Sequence, residues 1–261
     1  MKDFYGRVNP EYLEKTAAIF APVKHGSYNN MHVSEGDIVL DVGCGPGIDV
    51  MALAELVGSR GTVVGFDHDK VMLSQAWQNI AHTYQDRDIG LIQGCASQLP
   101  FQDNFFASCR SERLFMHLSM PEQTLAEMLR VTKPGGNIVI IDTDWASLSI
   151  DNPLPKLEQT LSNYRISHVL NNGYSGRSLF RQFRKLQLAN IKIEVTPIYV
   201  TDIKLFYYLS MQQAVEDQAL ASRAITDREL KYWREELNRA ANNDCFYCSV
   251  NLVMISASKP D

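Results

Sequence analysis

The sequence predicts an α/β fold, in which a seven-stranded, mostly parallel sheet carries helices on both faces and an added helical lid. Three observations predict it: apolar runs alternate with helical patterns in the first half, glycines alternate with other residues after the first run, and two long apolar runs lie near the carboxyl end. Strands and helices in alternation give a parallel sheet, because each crossover helix packs back onto it. The strands are expected at residues 37–42, 62–66, 89–93, 105–109, 137–142, 191–200 and 245–257.

Helices are predicted between the first five strands. Apolar residues recur at helical spacing from Val50 to Val57, and Gly58 ends that helix. Asp69 is suited to cap the following helix, and Pro121 suits the first turn of the helix before the fifth strand. This order places a ligand crevice at the carboxyl ends of the strands.

The second half departs from strict alternation. Its two apolar runs follow a helix directly, so they are expected to close the sheet as an antiparallel pair, and three further helical segments are extra to the sheet. Because no Pro-, Gly- or Ser-rich linker separates them, we expect one domain. Its parts are an N-terminal helical flap (1–35), the binding core (36–149), a lid insertion (150–174), a core helix and strand (175–202), a second lid insertion (203–244) and the last strand (245–261).

Composition excludes several classes of protein. The chain has 261 residues, of which 45% are hydrophobic and 21% are charged, as in ordinary globular domains. A net charge of -5 disfavours a broad electrostatic contact with nucleic acid or acidic lipid. No apolar run is long enough to span a bilayer, and the first residues lack the layout of a secretion signal. A cytoplasmic location is therefore expected.

The five cysteines are an odd and scattered set, which suits reduced thiols. Cys245 and Cys248 form a Cys-x-x-Cys pair without a second ligand pair, inside a run that reads as a strand. Residues three apart in a strand point to opposite faces. We therefore expect two small buried side chains here, and no metal site.

The alternating glycines Gly43, Gly45 and Gly47 lie at the turn from the first strand into its helix, where bare backbone lets a ligand approach. Asp67 ends the second strand 20 residues after Gly47, the spacing at which a carboxylate accepts both hydroxyls of a ribose. A dinucleotide fingerprint needs a glycine where this chain has Ile48, and no triphosphate-binding loop is present. The pattern therefore indicates an adenosine ligand without phosphate.

Four stretches together resemble the class I S-adenosylmethionine-dependent methyltransferases: DVGCGPG at 41–47, GFDHD at 65–69, GCASQLPF at 94–101 and KPGGNIVIID at 133–142. The resemblance runs from about residue 36 to 145 and is nearest to the ubiquinone and menaquinone biosynthesis subgroup. It implies a Rossmann-like fold, S-adenosyl-L-methionine as cofactor and S-adenosyl-L-homocysteine as product. The cofactor-binding residues that it implies are Asp41, Gly43, Cys44, Gly45 and Gly47 around the methionine, Asp67 on the ribose, His68 along the adenine, and Cys95 and Ala96 at its edge. Arg110 and Arg113 are further candidates by position, because they lie in the loop that follows the fourth strand, where the backbone of Arg110 is expected to border the cofactor.

The sequence departs from the family at two positions. Cys95 replaces the usual aspartate, and a thiol is a weak acceptor for the adenine amino group; Ala107 replaces an aspartate in the fourth strand. A catalytically silent protein that binds the same cofactor is therefore the alternative to an enzyme. A nucleic-acid methyltransferase is disfavoured, because residues 110–113 lack its Pro-Pro motif, and Ile48 disfavours a nicotinamide oxidoreductase.

Displacement from a sulfonium requires mainly that the acceptor be aligned in line with the methyl group, and a base is optional. His117 and Asp144 are the candidate catalytic residues, since both follow strands at the crevice. For His117 the favoured alternative is a residue at the start of the next helix that fixes a loop by hydrogen bonds. Arg113 could hold a carboxylate of the ligand or pair with Glu112. Trp145 is expected to anchor the lid beside a small apolar or aromatic acceptor. His25 and Tyr28 are expected in a surface turn, and the aromatic residues at 206–208 in helix packing.

Overall fold

The structure is a computed structural model that describes residues 10–81, 84 and 86–261, with side chains described from residue 19 onward. Among these residues, one sheet contains every strand. The first nine residues of the predicted flap, and residues 82, 83 and 85, lie outside the described residues. The strands are β1 Ile38–Val42, β2 Thr62–Asp67, β3 Asp88–Gln93, β4 Phe106–Glu112, β5 Thr132–Ile150, β6 Ala189–Val200 and β7 Cys248–Ser258.

Helices connect the parallel strands and form the lid. The helices are α1 Pro10–Met31, α2 Ile48–Val57, α3 Lys70–Ala81, α4 Pro121–Val131, α5 Pro155–Tyr164, α6 Ser175–Lys185, α7 Ile203–Ser210, α8 Gln212–Ala221 and α9 Asp227–Asn242. The short turns are a 3-10 turn at Phe115–His117 and a π-helical turn at Arg165–Val169. Among the described residues, no helix has both the length and the apolar character needed to cross a bilayer.

The strand order is β3-β2-β1-β4-β5-β7-β6. The pairs among β1 to β5 are parallel, and β7 runs antiparallel between β5 and β6. This arrangement confirms the predicted fold class, including the antiparallel closure. From β1 the strand order continues outward to β2 and β3, and from β4 it continues outward on the other side to β5. The crevice between β1 and β4, where the order changes side, is where α/β sheets of this kind bind ligands.

The buried apolar residues form three clusters, two against the faces of the sheet and one within the lid. One apolar cluster packs α1, α2 and α3 on one face of the sheet, a second packs α4 and α6 on the other, and a third holds the lid helices around the fully buried Trp233. The lid therefore has an apolar core of its own. Between α7 and α8 the chain breaks at Met211, whose φ of 50° is left-handed.

The fifth strand is longer than predicted. Asp144 and Trp145, expected just beyond it, lie inside β5, because its end pairs with β7 at Ser149–Ser249 and Ile150–Cys248. The register between β5 and β7 shifts between Asp144 and Ser149, and β5 then continues to Ile150. The length of β5 thus depends on a partner about a hundred residues away, which a local pattern does not encode.

Two further predictions were wrong. His25 and Tyr28 lie in α1 and not in a surface turn, and Tyr28 is buried. Of the cysteine pair, Cys248 is buried in β7, but Cys245 precedes the strand and is exposed. Every cysteine is a free thiol, and among the described residues no cluster of potential metal ligands occurs.

Candidate active site

A cleft of about 910 Å³, counted with its open mouth, lies where β1, β2 and β4 end beneath the lid. It contains part of the predicted site and adds residues from the lid. The predicted residues that line it are Gly43, Gly45, Asp67, His68, Arg113 and His117. The predicted residues that do not line it are Asp41, Cys44, Gly47, Cys95, Ala96, Arg110 and Asp144.

The glycine loop forms one wall of the cleft with bare backbone. Gly43, Gly45 and Gly47 have φ values of 77°, 52° and 81°, in the left-handed region that side chains disfavour. A Cβ on Gly43 would lie 3.0 Å from Leu114, and one on Gly47 would lie 2.9 Å from Ala76. Glycine is therefore required by backbone conformation and by close packing at the same time.

Asp67 presents its carboxylate to the same cleft. Its Oδ2 accepts a hydrogen bond from the Gly45 amide at 2.9 Å, and its Oδ1 accepts one from the Asp69 amide at 2.9 Å. Burial alone would raise the pKa of the Asp67 carboxyl, but the hydrogen bonds from His68 and these two amides lower it below its ordinary value. Asp67 is thus an ionised acceptor at neutral pH.

The residues present fit S-adenosylmethionine. A carboxylate offers about four lone-pair positions. The two backbone amides and His68 Nδ1, which lies 3.3 Å from Oδ1, occupy three of these positions at Asp67, so one position is open to a ribose hydroxyl. Release of the exposed His68 side chain would open a second position for the other hydroxyl. The Gly43 wall is too close to Leu114 for any side chain and leaves its backbone open to the ligand.

The loop expected at the adenine edge is attached to Asp67 through backbone. The Gly94 amide donates to the Asp67 carbonyl at 3.0 Å, and Cys95 Sγ lies 3.0 Å from Ser97 Oγ. The hydrogen bond with Ser97 lowers the pKa of the exposed Cys95 thiol. Contact of Cys95 and Ala96 with adenine stays a prediction.

Behind the glycine loop lies a buried ion cluster, formed by Lys24, Asp41, Asp49, Arg110 and Glu112. The Arg110 guanidinium reaches Glu112 at 2.6 Å, Asp49 at 3.2 Å and Asp41 at 3.4 Å, and Lys24 Nζ lies 2.7 Å from both Asp49 and Glu112. Burial raises the pKa of Asp41 to about 7. Burial would raise the pKa of Asp49 too, but Arg110 and Lys24 hold it below its ordinary value. Arg110 and Asp41 therefore support the loop from behind.

Helix α1 is fastened to this cluster. Tyr28 Oη donates to Asp49, and Ser27 Oγ accepts a hydrogen bond from Arg110 Nε at 2.9 Å. Burial, followed by the charge of Asp49, raises the pKa of Tyr28 far above its ordinary value. The N-terminal segment predicted as a flap is thus, over its second half, a buried part of the site.

His117 is held by a network of backbone and side-chain hydrogen bonds. It ends the 3-10 turn, whose Met116 amide donates to Asp142 Oδ2 at 3.0 Å. The side chain of Asn171 donates to the His117 carbonyl at 2.7 Å, and the Asn172 amide donates to the Met116 carbonyl at 3.0 Å. These contacts fix the backbone of the turn and leave the imidazole at the cleft.

The imidazole of His117 is neutral over the physiological range. Burial lowers its pKa to about 4, and the charges of Arg113 and His68 act in the same direction. A neutral imidazole has one nitrogen available as a proton acceptor. His117 is therefore able to accept a proton from a bound molecule at neutral pH, although it is a weak base.

The structure places Asp144, the other candidate base, away from the cleft. Its carboxylate accepts hydrogen bonds from Arg177 Nε at 2.8 Å and 3.0 Å and from Nη2 at 2.8 Å. A bidentate pair of this kind is strong and directional. Asp144 thereby fastens α6 to β5.

The lid contributes cleft residues that the sequence did not reveal. The Arg165 guanidinium lies 4.8 Å from the Trp145 ring, donates to the Ser210 carbonyl and reaches Gln212 Oε1 at 2.6 Å. Arg165 was not predicted, because a lone arginine in a helical pattern does not indicate a position at a cleft. Arg113, which was predicted, has a left-handed φ of 50° and lies over the Phe20 ring at 4.7 Å. The other unpredicted lining residues are Met72, Glu112, Leu114, Met116, Val169, Leu170, Leu209 and Met211.

Fold and site together define a class. A seven-stranded sheet with an antiparallel seventh strand, a glycine loop after β1 and an acid at the end of β2 are the features of class I S-adenosylmethionine-dependent methyltransferases, for which S-adenosylmethionine is the cofactor. A family model described as "Methyltransferase domain" matches residues 33–191, which is more than half of the chain. This chain belongs to the methyltransferase-domain family.

Individual relatives agree with this assignment. A demethylmenaquinone methyltransferase of Lactobacillus johnsonii is 32% identical over 159 residues, which cover 59% of this chain and 64% of that protein. A 37.1 kDa protein of a Streptomyces fradiae transposon is 33% identical over 172 residues, or 65% of this chain and 49% of that protein. The chain thus spans less than two thirds of the length of these relatives.

A solved structure has the same fold. Geranyl diphosphate C-methyltransferase from Streptomyces coelicolor, in complex with S-adenosyl-L-homocysteine, has a TM-score of 0.60 and 15% sequence identity, and the likeness covers 95% of this chain and 82% of that chain. At this identity the likeness concerns the fold. The resemblance and fold class inferred from the sequence are confirmed.

Proposed function

We propose that this protein transfers the methyl group of S-adenosylmethionine to a small apolar or aromatic acceptor by in-line displacement. The observation that carries the proposal is that the glycine loop, Asp67 and His117 border one cleft. In this proposal the loop binds the methionine part, Asp67 accepts the ribose hydroxyls and His68 lies along the adenine. His117 takes the proton that the acceptor releases.

Bound there, S-adenosylmethionine supplies a methyl group on a positively charged sulfur: the sulfur–carbon bond breaks with its electron pair on sulfur as the acceptor–carbon bond forms. The chain's own task is alignment. The Gly43 wall and the turn that carries His117 border the same cleft, so the two reactants can meet in one orientation. Alignment of this kind supplies on the order of 7–11 kcal/mol of a barrier.

A weak base is sufficient for this chemistry. When an oxygen acceptor has gained a methyl group, its remaining proton becomes strongly acidic, so transfer to the imidazole of His117 is downhill even with a pKa of about 4. General-base help of this type contributes typically 10²- to 10⁴-fold. The roles of His117 and Asp67 rest on their positions at the cleft.

The acceptor class follows from the other lining residues. Leu114, Met116, Val169, Leu170 and Leu209 give the cleft apolar walls beside the aromatic ring of Trp145. Small-molecule sites bind through such walls and obtain orientation from a few polar groups. These walls suit an apolar or aromatic molecule with one reactive polar atom.

Binding calorimetry with S-adenosylmethionine and S-adenosylhomocysteine tests the cofactor assignment. Replacing Asp67 with Ala removes the ribose acceptor, and a hydrogen bond to a charged group contributes roughly 1.5–3 kcal/mol. We expect the affinity of both ligands to fall by about 10-fold or more. The matched control is Asp151→Ala, an exposed aspartate outside the cleft.

The outcomes separate the alternatives. Equal affinity in Asp67→Ala and Asp151→Ala would contradict the ribose assignment. If the wild type binds both ligands but methylates no member of a panel of phenols, quinols, indoles and amines, the silent binding protein is favoured. If it binds neither ligand at millimolar concentration, the proposed function is wrong.

A further inference from the structure

A second, inner cavity, of about 520 Å³ counted with its opening to solvent, lies beside the cleft, between the sheet and α7. Its floor comes from β5, β6 and β7, and Phe20 of α1 and Phe206 of α7 contribute walls. Phe20, Phe206 and Leu252 are 8%, 2% and 1% exposed, so the deepest walls of this cavity lie inside the molecule. It is distinct from the part of the cleft that contains the glycine loop and Asp67.

The inner cavity is apolar. The polar groups among its described lining residues are the side chains of Thr143, Ser210, Ser249 and Cys248 and the guanidinium of Arg113. Arg113 is also a lining residue of the outer cleft, so the charge marks the boundary between the two spaces. The apolar lining residues are Phe20, Met116, Trp145, Leu148, Ile198, Val200, Phe206, Leu209, Val250 and Leu252.

The two spaces share a neck. Met116, Trp145 and Leu209 line both, and the indole Nε1 of Trp145 donates to Met116 Sδ at 3.1 Å. Met116 directly precedes His117 in the 3-10 turn. His117 lines the outer cleft and Met116 lines both spaces, so a molecule bound at His117 lies beside the neck.

We propose that the inner cavity is an acceptor subsite that takes a compact apolar substituent, an alkyl chain or a small ring, attached to the polar group that is methylated. This inference rests on the proposed function and adds a division of the acceptor into two parts. The polar part lies at His117 in the outer cleft, and the apolar part passes the Met116–Trp145 neck. The volume of the inner cavity limits the length of that substituent.

The driving force comes from apolar burial. A methylene removed from water contributes enough to change an affinity roughly fourfold. Walls such as Phe206 and Leu252 offer no polar partner, and the charged lining residue, Arg113, is itself a cation, so a positively charged substituent would lose its hydration without compensation. The subsite therefore selects apolar groups against cationic groups of the same size.

The test uses phenol and its 4-ethyl, 4-butyl, 4-hexyl and 4-octyl derivatives as probes, titrated by calorimetry into the full chain saturated with S-adenosylhomocysteine. We expect affinity to rise roughly fourfold per methylene for the first carbons and then to level off when the cavity is filled. A cationic probe of similar length, 4-(4-aminobutyl)phenol, is expected to bind no better than phenol. Affinity that does not depend on chain length would overturn the proposal.

Filling the cavity gives the second arm. Val250→Phe and Leu148→Phe each add volume from a partly exposed lining position, so either variant can serve if the other does not fold. The matched control is Val195→Phe, which adds the same volume at a β6 residue that is 56% exposed. We expect the filled variants to lose at least 10-fold in affinity for 4-hexylphenol and to keep the affinity for phenol and for S-adenosylhomocysteine.

The readouts separate the two levels of inference. If the wild type does not bind S-adenosylhomocysteine, the proposed function is wrong. Normal S-adenosylhomocysteine binding together with equal chain-length dependence in Val250→Phe and Val195→Phe refutes the subsite alone, because the alkyl chain then binds somewhere else.

Discussion

Replacing Lys24 with Met tests the buried ion cluster most directly. Lys24 Nζ lies 2.7 Å from carboxylate oxygens of both Asp49 and Glu112, and its side chain is 8% exposed. Removing one partner of a buried pair leaves uncompensated charge and costs about 3–5 kcal/mol. Both carboxylates keep Arg110 as a partner, so we expect a loss near the lower limit, about 3 kcal/mol.

The assay is urea unfolding followed by circular dichroism, with thermal unfolding as a second measurement. A loss of about 3 kcal/mol corresponds to a melting temperature lower by roughly 6–12 °C for a chain of this size. The matched control is Lys231→Met, where the ammonium is 78% exposed and 3.9 Å from Glu235. Exposed pairs contribute little, so this control should change stability by less than about 1 kcal/mol.

A double-mutant cycle isolates the pair. If Lys24 is held by Asp49, then Lys24→Met in an Asp49→Asn background should cost less than it does alone, with a coupling of at least about 1 kcal/mol. A Lys24→Met variant as stable as Lys231→Met would refute the reasoning, since the carboxylates would then need no cation from α1. Additive effects in the cycle would place the cost of Lys24→Met elsewhere in α1.

Two further predictions concern the candidate bases. His117→Ala should lower turnover by about 10²- to 10⁴-fold with unchanged S-adenosylhomocysteine affinity, whereas the exposed His25→Ala should not change turnover. Because burial lowers the pKa of His117 to about 4, its base form persists above that value, so wild-type steady-state rates should fall as pH drops through about 4, and His117→Ala should lack this fall. An inflection near 6.5 that is lost in His117→Ala would contradict this pKa. Asp144→Asn should lower stability by about 1–2 kcal/mol, because it weakens the bidentate contact with Arg177, and should change turnover by less than about threefold; a large loss of turnover at unchanged stability, measured on the same preparation, would return Asp144 to the list of bases.

The glycine-loop wall of the cleft and the position of Asp67 beside it were predictable because their signals are local. Gly43, Gly45 and Gly47 are needed by the backbone of a single turn, and Asp67 ends the neighbouring strand, so spacing along the chain reports spacing in the fold. Helix ends were predictable for the same reason: Asp69 Oδ1 accepts from the Val71 amide at 2.7 Å as a cap.

The wall of the cleft that the lid forms was not predictable, because it is assembled from distant segments. Arg165 and Leu209 come from separate parts of the lid, and β5 reaches Ile150 only by pairing with β7. The burial of Lys24 was hidden as well, since a lysine in a polar helix reads as a solvated side chain. Its three-dimensional partners, and not its neighbours in sequence, determine its environment.

Trp145 offers a consequence of a practical kind. It is one of three tryptophans, and it alone borders both compartments, since Trp77 is 62% exposed on α3 and Trp233 is fully buried in the lid. With Trp77 replaced by Phe, the fluorescence of the chain would come from Trp233, whose environment stays constant, and from Trp145, whose emission would change when a molecule enters either space. The protein thus carries its own fluorescent reporter, and stopped-flow mixing could time the entry of cofactor and acceptor without any label.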